Sequence, residues 1–296
     1  MRTFPYIALS LVLSAGLSDA ASFTVDFDDS AYPIPDEGNP TPIIDGIDGW
    51  SQSATTPSGE RYAWISTSFG SGNSLTYGGY YSELPETFSV SRNFSGLAPG
   101  EKSLSFQSHI TDTVPFDPET PTLFGRDTFG FQVRNSGGDL LLTVNLVPVT
   151  QDYVADGGEA SGYQPGQWEI VYAFGSDPSL TSTTNSILST GVNFFSVDFG
   201  EDGLAFNYGQ GDSSSFRHEG TAAGYDVNDT GLELTFTYER FFSEELFEED
   251  PDQPNGNGEN HIRIDNINVI DGIPEPTTAA LAALGSLALL RRRRVN

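Results

Sequence analysis

Cysteine is absent from all 296 residues of the chain. This absence excludes disulfides, a cysteine nucleophile, zinc–cysteine sites and iron–sulfur clusters. Exported proteins often use disulfides to reinforce small cores, but about 250 residues can bury roughly 70–75% of their unfolded surface without them. Stability must therefore come from packing, with or without a bound metal ion.

Basic side chains are also scarce, with 13 Lys and Arg against 41 Asp and Glu. Between residues 21 and 273 the count is 8 basic against 39 acidic side chains, a formal charge of −31. A chain this acidic repels nucleic acid and anionic lipid, because its own field opposes theirs. We therefore exclude nucleic acid as a partner.

Common catalytic motifs do not occur in the sequence. The Glu-x-Asp-x-x-Glu string of sandwich glucanases and the Gly-x-Ser-x-Gly elbow of serine hydrolases are both absent. A glycosidase needs two carboxyl groups about 5–10 Å apart across a cleft. Glu169 and Asp198 are isolated acids on expected strands, and chance placement explains them better than a functional pair. We predict no catalytic residue.

The N-terminus has the layout of a secretory signal peptide. Arg2 supplies a positive start, residues 6–17 form an apolar run, and Ser18-Asp19-Ala20 places small residues where a signal peptidase reads them. We predict that residues 1–20 are removed by cleavage after Ala20. A core helix is the alternative.

The C-terminus combines a proline motif, a short apolar run and a basic end. The motif is Pro274, Glu275 and Pro276, and the basic end is Arg291, Arg292, Arg293 and Arg294. The 14 uncharged residues 277–290 would span roughly 21 Å as a helix, less than the ~30 Å hydrocarbon core of a bilayer. We expect transient membrane insertion with the stop-transfer arginines on the cytoplasmic side; an ordinary short anchor is the alternative.

Residues 273–296 closely resemble the PEP-CTERM sorting signal of bacterial exported proteins. The resemblance implies recognition and cleavage by an exosortase-type membrane protease, and a link to exopolysaccharide or envelope assembly. It places the mature protein at the cell envelope, the outer surface or outside the cell, after an inner-membrane intermediate. The glycolipid-anchor signal works similarly, because its hydrophobic tail is also removed.

Residues 21–272 have the pattern of one all-β domain. Strand-like stretches rich in Phe, Tyr, Val, Thr and Ser occupy residues 23–27, 61–69, 87–94, 103–110, 128–134, 140–149, 168–174, 192–199, 204–208, 232–241 and 262–270. Turn signals at 98–101, 135–139 and 201–203 predict hairpins. We predict an antiparallel β-sandwich of the jelly-roll type, flanked by an N-terminal signal helix and a short C-terminal hydrophobic helix.

Two segments, 88–106 and 264–269, resemble a strand–turn–strand pair and the closing strand of concanavalin-like or carbohydrate-binding-module-like sandwiches. In calcium-stabilised members, acids on the first strand often meet an Asp on the last. The matching residues are Asp26, Asp28 and Asp265. If these strands are neighbours, the carboxylates converge and Ca²⁺ relieves their repulsion; solvated edge carboxylates are the alternative.

Tyr77, Tyr80 and Tyr81 are candidates for a sugar-binding platform, because an aromatic face suits the apolar face of a pyranose. A sandwich of this size also needs many aromatic residues in its core, which is the competing interpretation. We predict an exported structural or adhesive protein without catalysis, with polysaccharide as a partner. The alternatives are a carbohydrate-binding module and a glycan-active enzyme.

Overall fold

The computed structural model describes residues 22–29, 31–32, 44–54, 63–69, 72–78, 87–112, 127–148, 168–176, 182–188, 192–210, 216–239 and 260–271. Within these ranges the chain forms strands and no helix, and so contains no helix that could cross a bilayer. The expected terminal helices fall in residues 1–20 and 277–290, which lie outside the described residues.

The described residues contain fifteen strands, in chain order. They are β1 (Ser22–Val25), β2 (Trp50–Ala54), β3 (Ala63–Phe69), β4 (Gly72–Gly78), β5 (Thr87–Ser95), β6 (Lys102–Asp112), β7 (Thr128–Asn135), β8 (Leu140–Pro148), β9 (Trp168–Phe174), β10 (Ser182–Leu188), β11 (Val192–Gly200), β12 (Gly203–Gln210), β13 (Phe216–Gly220), β14 (Gly231–Glu239) and β15 (Asn260–Asp271).

The strands form two antiparallel sheets. Sheet A has the order β13-β12-β11-β6-β15-β4-β3, with β1 also paired to β15, and sheet B has the order β10-β9-β8-β7-β14-β5-β2. Short turns such as 201–202 between β11 and β12 join hairpin neighbours, which forces antiparallel pairing. The predicted all-β antiparallel sandwich is confirmed.

Strand β15 organises the centre of sheet A. One edge of β15 pairs with β6 along nearly its whole length. Its other edge pairs first with β4, over 261–264, and then with β1, over 267–270. The first and last strands of the domain are therefore neighbours.

The core lies between the two sheets and is rich in phenylalanine. Phe106 of sheet A meets Phe131 and Phe236 of sheet B edge-on, with ring centroids 5.0 and 5.3 Å apart. All three rings are buried. Each contributes about 1.5–3 kcal/mol by leaving water, and the edge-on geometry is the one aromatic quadrupoles prefer.

One end of the sandwich closes around a buried lysine. The Lys102 ammonium donates to the carbonyl oxygens of Gly100, at 3.0 Å, and Val227, at 2.5 Å. The neighbouring carboxylate of Asp271 is also buried and accepts a hydrogen bond from the Ala98 amide at 2.6 Å. These contacts fasten the end of β15 to two loops.

Candidate functional site

A row of polar side chains crosses the outer face of sheet A. The register aligns, from β1 to β13, Thr24, Asn268, Ser105, Ser196, Asn207 and Arg217. Because successive residues of a strand point to opposite faces, the neighbours of this row, such as Val197 and Phe206, belong to the core. Hydrogen bonds link Thr24 to Asn268 (2.9 Å) and Asn207 to Ser196 (3.1 Å).

The β13 end of this row is tied into a denser network. The Arg217 guanidinium donates to Asp198 (2.7 Å) and Asn207 (3.2 Å) through Nη1, and to Glu219 (3.1 Å) through Nε. Asp198 also accepts from Ser103 Oγ at 2.9 Å and from Asn207 Nδ2 at 3.0 Å. Four neighbouring strands therefore fix the carboxylate, amide and guanidinium groups in one arrangement.

The network forms a wall of an open groove of ≈ 820 Å³ at the β11–β12 hairpin, here called the Asp198 groove. Its lining carries five carboxylates, on Glu101, Asp198, Glu201, Asp202 and Glu219. Lys102 also lines the groove, but its ammonium binds backbone carbonyls. Arg217 is therefore the cation that the groove presents to a ligand, in an acidic setting.

The electrostatics of the groove centre on the Arg217 guanidinium. Hydrogen bonds to Asp198 and Glu219 raise the pKa of Arg217 above its ordinary value, so its charge is fixed. A general acid instead needs a carboxyl group with a raised pKa, and Asp265, which has one, lies outside this groove. Glu169 and Asp198 lie on β9 and β11, in different sheets.

A second group of acids lies where β15 changes partner. The register of β15 shifts between Asp265 and Asn268, and Asn266 within this bulge has a positive φ of 53°. Bulges re-aim side chains, and this one faces the gap between the end of β1 and the start of β4. The turn after β1 fills the gap, because Asp28 Oδ1 accepts a hydrogen bond from the Asn73 amide at 2.6 Å.

The three acids expected to converge, Asp26, Asp28 and Asp265, interact electrostatically. The pKa of Asp265 is raised, first by burial and then by the charges of Asp26 and Asp28, while the Asn266 amide lowers it in part. Gly72 accommodates Asp28, since a Cβ at Gly72 would lie 2.4 Å from the Asp28 carboxylate. Within the described ranges, no three His, Cys, Asp or Glu side chains are grouped tightly enough to hold a metal ion, so calcium binding stays a prediction.

The structure corrects the proposed tyrosine platform at Tyr77. This side chain is 1% exposed and packs against Phe88, Phe129 and Phe236 in the core. It alternates inward with Leu75 on β4, so its ring cannot stack on a sugar at the surface. Core packing, the competing interpretation, applies to Tyr77.

Several predicted positions lie outside the described residues. They are Tyr80, Tyr81, Ala20, Pro274, Glu275, Pro276, Arg291, Arg292, Arg293 and Arg294. Their assignments to a sugar platform, signal cleavage, the sorting motif and the stop-transfer end stay predictions.

Sequence reasoning missed Asn207 and Arg217 as site residues. Their partnership with Asp198 depends on the register of three strands, which short-range patterns do not reveal. The scarcity of basic residues was the one sequence signal that could have identified Arg217. In so acidic a chain, an arginine that lies two residues before a glutamate on the same strand is expected to attract several carboxylates into an ion-pair network.

No protein-family model matches the chain, and no curated protein matches it. Solved structures resemble it at low identity. The CBM2 module of the evolved Dit of Lactobacillus casei BL23 phage J-1 is 12% identical, with a TM-score of 0.47 over 85% of this chain and 97% of that chain.

Two mycobacterial proteins are similar to the same degree. A glycosyl hydrolase family protein from Mycobacterium fortuitum is 13% identical, with a TM-score of 0.47 over 83% of this chain and 98% of that chain. A beta-1,3-glucanase from Mycobacterium marinum is 12% identical, with a TM-score of 0.46 over 83% and 97% of the two chains. At these identities the likeness concerns the fold alone.

Proposed function

We propose that this is an exported, non-catalytic protein of the cell surface or extracellular matrix that contacts polysaccharide through the Asp198 groove. The observation that carries the proposal is the hydrogen-bonded network of Asp198, Asn207 and Arg217 on an open sheet face. Sugar hydroxyls donate to carboxylates and accept from guanidinium groups. The bonds within the network use Nε and Nη1 of Arg217, which leaves the Nη2 protons for a ligand.

An adhesive role suits the groove better than hydrolysis. Asp198 and Glu219 both bind the same guanidinium, whereas hydrolysis needs one carboxyl group that carries a proton at working pH. Among the described residues that line the groove, the aromatic ring is that of Phe199, which is buried. The binding mode that these residues offer is therefore polar.

The acidic lining also selects among polysaccharides. Five carboxylates against one exposed arginine repel uronate- or sulfate-bearing chains. We therefore expect neutral or amine-bearing polysaccharides to bind and acidic ones to bind less well.

Binding to arrayed polysaccharides tests the proposal. Asp198→Asn and Arg217→Gln should each weaken retention at least about tenfold, the cost of losing one charge-assisted hydrogen bond. Asn93→Ala is the matched control, since Asn93 is exposed on the outer face of sheet B. Absence of binding by the unaltered protein, or equal loss in the control, would remove the proposal.

A further inference from the structure

Strand β13 presents an exposed edge of sheet A. Among the described strands it pairs with β12 on one side only. It also carries Phe216, a large apolar side chain that is 48% exposed. An edge strand with unpaired backbone groups is a template for another strand.

We infer that β13 pairs with β13 of a second copy of this chain, antiparallel and centred on His218, to form a twofold dimer. The sequence of the strand is Phe216-Arg217-His218-Glu219-Gly220. Reversal about His218 places Arg217 opposite Glu219 of the second copy, and Glu219 opposite its Arg217. One surface thereby complements itself, as a twofold interface requires.

The charges also select this register. Arg217 and Glu219 project from the same face, because they are two residues apart on one strand. Sliding the second strand by two residues in either direction would put Arg217 opposite Arg217, or Glu219 opposite Glu219. Opposed like charges destabilise a strand pair and opposed unlike charges stabilise it, so only the register centred on His218 matches all five residues.

Both side chains can serve the interface without leaving the network. Arg217 and Glu219 are bonded to each other at 3.1 Å, yet their side chains are 52% and 75% exposed. In the dimer the four side chains alternate in sign around the axis. One Nη2 proton of Arg217 can reach Glu219 of the second copy, while Nη1 keeps Asp198 and the other Nη2 proton stays available to the groove.

The opposite face of β13 supplies an apolar contact. In this register Phe216 lies opposite Gly220 of the second copy. Gly220 has no side chain to obstruct it, and a Cβ there would lie 2.2 Å from the Phe174 ring of its own chain. Phe216 of each copy can therefore approach the Phe174 ring of the other.

The dimer would join two eight-stranded sheets edge to edge and set two Asp198 grooves on either side of the axis. A contact built on five residues per copy falls below the ~1,200 Å² of stable complexes. We therefore expect a weak dimer that forms only at high protein concentration. The inference rests on β13 and does not require that the groove bind polysaccharide.

Sedimentation equilibrium of the purified full chain, without glycan, tests the dimer by mixing. Arg217→Glu should weaken self-association at least about tenfold, because the introduced carboxylate would face Glu219 of the second copy, and Glu219→Arg should do the same by opposing two guanidinium groups. Mixed together, the two variants should associate at least as tightly as the unaltered protein, since every pair across the axis is then unlike in charge. Circular dichroism on each variant checks that it folds, and the regained association could not arise from unfolded chains.

Three results would overturn the dimer: an unaltered protein that stays monomeric at millimolar concentration, single variants that associate as tightly as the unaltered protein, or a mixture no tighter than its components. Asp139→Asn, on the turn between β7 and β8 in sheet B, is the control and should leave association unchanged. An unaltered protein that dimerises but binds no polysaccharide would refute only the proposed function. A monomeric protein that binds glycan would refute only the dimer.

Discussion

At the scale of single residues, Lys102 is the most unusual. It is the only lysine of the chain, and it is 2% exposed. Burial lowers the pKa of Lys102, and the charges of Asp229, Asp271 and Asp226 raise it in part. Its ammonium supplies donors to two loop carbonyls at the end of the sandwich, where a carbonyl without a partner would be costly.

Lys102→Met keeps the length of the side chain but removes the donor. We expect it to lower the free energy of unfolding by about 3 kcal/mol, because the Gly100 carbonyl loses this donor, the Val227 carbonyl keeps only the Gly100 amide, and buried Asp271 loses a nearby cation. Urea denaturation measures the change.

The matched comparison is the double variant Lys102→Met/Asp271→Asn. It removes the uncompensated carboxylate and should recover part of the lost stability, while the Asn carbonyl still accepts from the Ala98 amide. A Lys102→Met protein as stable as the unaltered one would show that the ammonium is not a structural cation.

At the scale of strands, the bulge in β15 concentrates charge. The pKa of Asp265 is raised in the folded protein above its ordinary 3.8. The folded state therefore holds the proton more tightly than the unfolded chain. Ionisation costs stability as the pH rises from 3.8 through the raised pKa, and the full cost is present above it.

Asp265→Asn removes this cost. In chelator at neutral pH we expect the variant to melt about 1–3 °C higher than the unaltered protein, with the gain disappearing as the pH falls toward the ordinary value of 3.8. In calcium the order should reverse, because Ca²⁺ neutralises the three carboxylates of the unaltered protein and loses a ligand in the variant.

Calorimetry in calcium and in chelator measures both effects. Asp202→Asn, exposed on the β11–β12 turn, is the control and should melt like the unaltered protein in each buffer. Equal melting temperatures of the unaltered protein in calcium and in chelator would exclude a stabilising calcium site.

Three of the four strands that the sequence patterns missed share a physical cause. β2, β10 and β13 lie at sheet edges, where apolar alternation is weak because solvent reaches the strand. β4 is internal but carries Asn73, Ser74 and Thr76, which are buried although polar. The strongly alternating strands of the core were predictable, since burial imposes their pattern.

The candidate sites also divide into features that the sequence could predict and features that it could not. The neighbourhood of Asp26, Asp28 and Asp265 could be predicted from the adjacency of the first and last strands. The burial of Tyr77 could not, because its segment reads as a Gly- and Tyr-rich loop until β4 pairs with β15. The Asp198 network depends on the register of β12 and β13, and β13 was not predicted.

At the scale of the whole molecule, the two predicted export signals would decide where the acidic sandwich works. We propose that both are removed, which would leave a mature chain with a formal net charge close to the −31 of residues 21–273. Intact-mass analysis of the protein recovered from its native cell surface should show a chain beginning at Ala21 and ending near 274–276. Pro274→Ala/Pro276→Ala should retain the tail, because the motif that an exosortase-type protease reads is lost. A native mass that still includes Arg291 to Arg294 would refute processing.

The place of β15 sets the order in which the molecule can be completed. It is the last of the described strands, yet it lies inside sheet A, with β6 on one edge and both β4 and β1 on the other. Until residues 260–271 arrive, β1 has no partner among the described strands and the sheet is split in two. If the predicted N-terminal signal directs export, the chain would cross a membrane N-terminus first with its sheet unfinished, and the sandwich would close only when translocation is nearly over.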